Sequence, residues 1–108
     1  MKESLLQDHI RLALGNVDGL CLWRNNIGTA EIRGYRVKFG VGGPGGADLI
    51  GLYKGWFVAV EIKTDTGRQS PDQRTYQALV ESKGGIYTIL RSVDDARAWA
   101  ASLAVSHG

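Results

Sequence analysis

The sequence predicts an α/β fold in which a mixed β-sheet is flanked by helices. Two short apolar runs, residues 46–53 and 56–63, meet at Lys54 and Gly55, and a two-residue connection containing glycine is typical of a β-hairpin. Helical periodicity occurs at both chain ends and again after Pro71, and a β-branched run, residues 86–90, lies between the last two helices. The order α-β-β-β-β-α-β-α gives a mixed sheet, with residues 56–63 near its centre.

Composition narrows the class of protein. A chain of 108 residues suffices for one core, so we expect a single domain over residues 1–108. No apolar run approaches the roughly 20 residues that span a bilayer, and the charged start does not resemble a signal peptide. We therefore expect a cytoplasmic protein with no membrane contact. Cys21 is the only cysteine, which excludes an internal disulfide, and we expect it to be a small buried side chain.

The first predicted helix covers residues 2–15. Glu3 and Gln7 share a stripe with the apolar Ile10 and Leu14, so the spacing directs the Glu3 carboxylate toward the sheet. The alternative is that Glu3 is simply a favourable acid in a first helical turn.

Basic residues precede the apolar hairpin. Residues 20–25 and 35–39 are predicted strands, with a loop at 26–29 between them. Across residues 24–38 only Glu31 opposes four cations: Arg24, Arg33, Arg36 and Lys38. A basic flank fits a polyanionic substrate, although cations scattered on a solvent face are an equal alternative. Three further arginines are candidate phosphate contacts: Arg68, Arg74 and Arg91.

The glycine-rich segment, residues 40–46, contains a formal G-x-G-x-x-G pattern. It is followed by a strand pattern instead of a helix, and no Gly-Lys-Ser/Thr follows, so dinucleotide and P-loop sites are both excluded. We interpret the glycines as permitting a sharp turn and a close approach of nucleic acid.

The hairpin brings two acids together. With Lys54 and Gly55 as the turn, counting outward pairs Tyr53 with Trp56, Leu52 with Phe57, Ile50 with Ala59 and Asp48 with Glu61. Lys63 projects from the same face. Opposed carboxylates need a proton or a cation, and hard oxygen ligands suit Mg²⁺ or Mn²⁺. The adjacent Lys63 then suits a metal-assisted phosphodiester hydrolase. The alternative is a charged strand end.

The second half of the chain contains a helix-capping pattern that includes Gln73. Ser70, Pro71 and Gln73 form a capping-box pattern at the start of a helix, and Gly84 and Gly85 end it. Residues 86–90 are predicted to form a central or nearly central strand. Ser92 is predicted to begin the last helix.

Three segments together resemble the VRR-NUC branch of the PD-(D/E)xK nuclease superfamily. They are residues 42–51 (Gly-Gly-Pro-Gly-Gly-Ala-Asp-Leu-Ile-Gly), 57–63 (Phe-Val-Ala-Val-Glu-Ile-Lys) and 64–73 (Thr-Asp-Thr-Gly-Arg-Gln-Ser-Pro-Asp-Gln). Ala47 stands where the superfamily name has proline. The resemblance implies the nuclease core fold and a site built from Asp48, Glu61, Lys63, Gln73 and Glu3. Asp48, Glu61, Glu3 and the Ile62 carbonyl would hold the metal.

The residues and the resemblance together favour a Mg²⁺- or Mn²⁺-dependent endonuclease acting on DNA without an organic cofactor. The resemblance further implies branched DNA such as four-way junctions, a homodimer, and a bacterial or phage-infected cell. Two alternatives stay open: a non-catalytic nucleic-acid-binding or nuclease subunit, and a metal-dependent hydrolase of RNA. No base-reading element is identifiable, so the residues alone do not separate DNA from RNA.

Overall fold

The structure is a computed structural model that describes residues 1–107. Three helices and six strands follow one another as α1 (Glu3–Leu14), β1 (Leu20–Arg24), β2 (Gly28–Ile32), β3 (Tyr35–Phe39), β4 (Leu49–Tyr53), β5 (Trp56–Ile62), α2 (Pro71–Ser82), β6 (Ile86–Leu90) and α3 (Val93–Ser106), with a short 3₁₀ turn at Gly43–Gly45. In the described chain, none of the helices combines the length and the apolar character needed to cross a membrane.

The main sheet has four strands in the order β1-β4-β5-β6. The β1/β4 and β4/β5 pairs are antiparallel and the β5/β6 pair is parallel, which confirms the predicted mixed sheet with β5 in its interior. The prediction that β6 lies centrally is wrong, because β6 forms one edge. Its apolar sequence reflects helices that cover both faces of the strand, and a pattern reports burial without reporting strand order.

Helices pack on both faces of this sheet. On one face α1 and α3 bury a core that includes Ile10, Leu49, Val60 and Leu103. On the other face α2 covers a smaller cluster of Ala47, Ala59, Tyr76, Val80 and Tyr87. Each large aliphatic side chain buried in this way contributes about 1.5–3 kcal/mol. The sheet ends carrying Asp48 and Glu61 are therefore held between two packed layers.

The β4–β5 hairpin has the predicted register. Tyr53 pairs with Trp56, Leu52 with Phe57 and Ile50 with Ala59. Lys54 (φ 46°) and Gly55 (φ 89°) both have positive φ, as the tight turns of two-residue hairpins require. The turn thus fixes which residues face each other at the far end of the hairpin.

Strands β2 and β3 form a separate two-stranded antiparallel sheet, here called the β2–β3 ribbon (residues 28–39). The sequence predicted β3 but not β2: a loop was predicted at residues 26–29 and no strand before residue 35, so the structure has one strand more than predicted. Glycine, threonine and alanine give β2 little strand signal of its own, so its strand conformation depends on pairing with β3. The radius of gyration is 14.3 Å, against about 13 Å expected for this length, in keeping with a protruding arm.

The expectation that Cys21 is buried is wrong, because the thiol is exposed. Cys21 lies on the edge strand β1 and pairs with Leu52, which is also exposed. Both belong to the face on which α2 packs, but α2 covers only β5 and β6 there. An apolar neighbourhood in the sequence does not distinguish a covered strand from an uncovered edge.

Candidate active site

Asp48 and Glu61 meet where the β4–β5 ladder ends. The last paired residues are Leu49 and Val60, so Asp48 and Glu61 occupy the next position of the same register. Asp48 reaches across the hairpin, and its Oδ2 accepts a hydrogen bond of 2.8 Å from the Ile62 backbone N–H. Glu61 is only 2% exposed, and within residues 1–107 its Oε2 has no hydrogen-bond partner. The structure thus places the two predicted acids side by side.

The electrostatics of this pair are unfavourable for two negative charges. Burial, the largest cause, acts together with a hydrogen bond to Asp48 and the charge of Asp48 to raise the pKa of Glu61 to about 9. Lys63 lowers the same pKa, and Glu3 raises it slightly. Without a cation, Glu61 is therefore protonated near neutral pH.

The donor set fits a divalent cation. The Glu61 Oε2 is buried without a partner, and a second carboxylate lies beside it, so a bound cation would replace the proton and satisfy the free oxygen. Asp48 and Glu61 are hard oxygen donors of the kind that Mg²⁺ and Mn²⁺ prefer.

A cavity of about 730 Å³ opens onto the acid pair. Besides Asp48 and Glu61, its walls come from α1, the β1–β2 connection, the end of β3, the glycine-rich loop and the start of α2: Glu3, Gln7, Arg24, Asn25, Asn26, Ile27, Phe39, Pro44, Gly46 and Gln73. Predicted site residues that are distant in sequence therefore share one polar space.

Glu3 lines this cavity but stands apart from the acid pair. Within the described residues no group of three or more His, Cys, Asp or Glu side chains is close enough to hold a metal. Glu3 is exposed at the start of α1, and its influence on the pKa of Glu61 is the weakest of those acting there. Its place as a metal ligand stays a prediction.

Gln7, one helical turn after Glu3, was not singled out as a site residue. It is only 9% exposed and lines the cavity, which is unusual for an uncharged polar side chain on an apolar helix face. The signal in the sequence was its place on the buried stripe of α1.

Lys63 directly follows β5, and its backbone N–H donates to the Leu90 carbonyl at 3.1 Å. The Arg91 Nη1 donates to the carbonyls of Thr64 at 2.8 Å and Gly67 at 2.7 Å. Gly67 packs close to the Lys63 side chain, because an added Cβ would lie 3.4 Å from the Lys63 Cδ. Arg91 therefore braces the loop after Lys63, and its predicted phosphate contact stays a prediction.

Gln73 forms the predicted capping box. Its Oε1 accepts from the Ser70 N–H at 2.8 Å, and its own N–H donates to the Ser70 Oγ at 3.1 Å. Gln73 also lines the cavity. Because the cap uses Oε1, the amide nitrogen is the part of the side chain that remains for the site.

The glycine-rich loop turns sharply, as expected, with positive φ at Gly40, Gly42 and Gly43. It also packs tightly on α2. A Cβ at Gly42 would collide with the Tyr76 ring, and one at Gly45 would collide with the Asp72 backbone. The glycines thus let the start of α2, and with it Gln73, lie close to the acid pair.

The predicted basic residues fall into separate groups. Arg24 lines the cavity, whereas Arg33, Arg36 and Lys38 lie on the β2–β3 ribbon. Arg68 precedes α2 and is exposed, and the Arg74 Nη1 donates to the Gln69 carbonyl at 3.2 Å. Of these predicted cations, Arg24 is the one whose side chain lines the cavity, and the others lie on the ribbon or near the start of α2.

Comparison with known proteins identifies the fold. No family model and no curated protein matches the sequence. A solved structure described as "VRR_NUC domain" superposes with a TM-score of 0.56 over 98% of this chain and 97% of that chain, at 15% sequence identity. The chain therefore has the VRR-NUC fold, as the sequence motifs predicted.

Proposed function

We propose that the protein is a nuclease that hydrolyses phosphodiester bonds in DNA and depends on Mg²⁺ or Mn²⁺. The observation that carries the proposal is the pair of Asp48 and buried Glu61 at the end of the β4–β5 hairpin, with Lys63 near enough for its charge to lower the pKa of Glu61. The buried Glu61 oxygen without a partner costs free energy of folding. A functional site explains why such a group is present, whereas a purely structural role does not.

Asp48 and Glu61 would hold the metal, together with the Ile62 carbonyl, and Glu3 would act from the cavity wall, since it stands apart from the acid pair. Asp48 is preorganised for this by the Ile62 N–H, which fixes its Oδ2. When bound, such a cation supplies Lewis-acid polarisation of the scissile phosphate and stabilises the leaving oxygen. Burial restricts the Glu61 side chain, which is only 2% exposed.

Lys63 would orient the attacking water and balance the charge that develops on the phosphate. The Lys63 backbone is hydrogen-bonded to the end of β6, and Arg91 is hydrogen-bonded to the loop that follows. The backbone from which the Lys63 ammonium extends is therefore held in place on both sides. The Gln73 amide nitrogen and Glu3 would support the water and the metal from the cavity walls.

The preferred substrate in this proposal is branched DNA, such as a four-way junction, cut by a homodimer. The support for it is the motif resemblance and the basic β2–β3 ribbon beside the cavity. One domain of 108 residues holds one acid pair, so nicking two opposed strands requires two copies.

A cleavage assay with matched variants tests the proposal. Labelled four-way junction, flap, single-stranded and duplex DNA are incubated with Mg²⁺, Mn²⁺ or chelator. We expect metal-dependent cleavage by the wild type and none by Lys63→Ala, while Lys83→Ala, at the far end of α2, retains cleavage. Binding without cleavage under every condition would favour a non-catalytic subunit, and cleavage of matched RNA alone would favour the RNA hydrolase.

A further inference from the structure

The β2–β3 ribbon has one charged and one apolar face. Its register puts Glu31 opposite Arg36 and Thr29 opposite Lys38 on one face. The other face carries Ile32 opposite Tyr35, Ala30 opposite Val37 and Gly28 opposite Phe39. Tyr35 is 75% exposed and Ile32 is 53% exposed. An isolated two-stranded hairpin is marginally stable in water, so an uncovered apolar face indicates a binding surface.

Hydrogen bonds attach the ends of the β2–β3 ribbon to the segment that carries Asp48. The Asn25 side chain donates to the carbonyls of Val41 at 2.8 Å and Ala47 at 2.9 Å, and it accepts from the Val41 N–H at 3.0 Å. The Asn25 backbone N–H donates to the Asp48 carbonyl at 2.8 Å. Asn25 therefore links both ends of the ribbon to the segment that carries Asp48.

The ribbon also has a defined reach. Phe39, at its base, lines the cavity that holds the acid pair. Each strand has five residues, so Ile32 and Tyr35 at the tip lie four residues, or about 13 Å, beyond the base at about 3.3 Å per residue. This length corresponds to about four nucleotides of a helical strand at about 3.4 Å each.

The charged face and the apolar face of the ribbon, taken together, favour nucleic acid as its partner. Three cations, Arg33, Arg36 and Lys38, oppose the single acid Glu31 on the ribbon. The tip reads Ile32-Arg33-Gly34-Tyr35-Arg36, so apolar and basic side chains alternate within one turn. Nucleic acid offers phosphates to the cations and flat base surfaces to the aromatic ring. A second protein surface would have to supply acids as well as apolar area.

Within a continuous duplex, however, base faces are covered by their neighbours. They are accessible at branch points, at frayed ends and in single strands. We propose, on the premise of the function above, that Ile32 and Tyr35 form a wedge that stacks on a base exposed at a branch point or an unpaired end. The ribbon then sets the distance between that branch point and the cut at about four nucleotides.

Binding measurements on tip variants test this wedge. They use the Lys63→Ala protein in chelator, so that no DNA is cut, with anisotropy on a four-way junction, a flap and a continuous duplex. Changing Tyr35→Ala should weaken junction and flap binding about ten-fold and duplex binding by less than about two-fold. Tyr35→Phe should restore binding because it keeps the ring, whereas Tyr35→Leu should not. Thr29→Ala, on the opposite face, is the matched control.

A fluorescent base analogue at the branch point gives a second readout. Its emission should change with wild-type and Tyr35→Phe tips and stay unchanged with Tyr35→Ala. Cut positions mapped with the protein that retains Lys63 should lie about four nucleotides from the branch point.

Three outcomes would overturn the inference. One is that Tyr35→Ala weakens binding to the junction and to the duplex equally, which would make the ribbon a general groove contact. Another is that Tyr35→Ala weakens binding to none of the DNA substrates. The last is loss on every DNA together with conversion of a dimer to a monomer in sedimentation, which would assign the apolar face to a second copy of the chain. Failure of the wild type to cleave DNA with any metal would instead refute the proposed nuclease function. The effect of Tyr35 on binding is measured without cleavage, so the two failures are distinguishable.

Discussion

Asp48 and Ile62 are joined by a hydrogen bond of 2.8 Å that extends the β4–β5 hairpin beyond its last paired residues. The bond runs from a backbone N–H to a carboxylate oxygen, so it takes the place of a ladder hydrogen bond at the strand end. It holds the Asp48 carboxylate next to the buried Glu61, and the repulsion between the two acids is thereby built into the fold.

Removing the charge of Asp48 should stabilise the metal-free protein and weaken metal binding. In chelator and above about pH 9, where Glu61 is ionised, Asp48→Asn should raise the free energy of unfolding by about 1 kcal/mol, because it removes the like charge beside Glu61. Affinity for Mn²⁺, measured by calorimetry, should fall at least about ten-fold since a charged ligand is lost. Asp18→Asn, at an exposed loop position, serves as the control. Unchanged metal affinity in Asp48→Asn would place the metal site elsewhere.

The stability of the metal-free protein should fall as pH rises. Glu61 has an ordinary pKa of 4.5, which burial raises to about 9 in the folded state, so the folded protein binds the extra proton between these values. Stability is then fully present below about pH 4.5 and is lost progressively up to about pH 9. The slope is at most about 1.4 kcal/mol per pH unit for one proton.

Urea denaturation in chelator at several pH values measures this slope. Glu61→Gln should remove it, because glutamine does not titrate in this range, and saturating Mg²⁺ should reduce it in the wild type. The same slope in wild type and Glu61→Gln would show that the loss of stability arises from other groups.

The acid pair could be predicted from the sequence because a short turn determines hairpin register. Once Lys54 and Gly55 form the turn, every pair outward to Asp48 and Glu61 follows by counting. The burial of Glu61 and the bond from Ile62 could not be predicted in this way. They depend on α2 and on the glycine-rich loop, whose packing involves contacts between distant parts of the chain.

The errors in the sequence prediction have the same origin. Strand β2 has weak β propensity and owes its conformation to β3, so it is not visible in a local pattern. The position of β6 at the edge and the exposure of Cys21 depend on strand order and on where α2 lies. Local patterns thus identified most elements, whereas non-local contacts decided which of their faces are covered.

Arg91 should act on catalysis through Lys63. Changing Arg91→Met removes the donors to the Thr64 and Gly67 carbonyls, so the loop after Lys63 loses its brace. We expect kcat to fall about ten-fold with little change in KM, because substrate binding does not use this loop in the proposed mechanism. Arg91→Lys should recover part of the rate, since a single ammonium can still reach a carbonyl.

The exposed Arg97, on α3, provides the control for lost charge through Arg97→Met. A rise in KM for Arg91→Met, with kcat unchanged, would restore the interpretation of Arg91 as a phosphate contact.

Asn25 should be required for the placement of the β2–β3 ribbon. Asn25→Ala removes three side-chain hydrogen bonds, to the Val41 carbonyl, the Val41 N–H and the Ala47 carbonyl. At about 1 kcal/mol for each bond, the free energy of unfolding should fall by about 2–3 kcal/mol. Asn16→Ala, at an exposed position after α1, should change it by less than about 0.5 kcal/mol. In a protein that still folds, the cut sites of Asn25→Ala on a four-way junction should spread over several positions, because the ribbon is no longer fixed to the segment that carries Asp48. Cut sites as sharp as those of the wild type would show that the ribbon does not position the substrate.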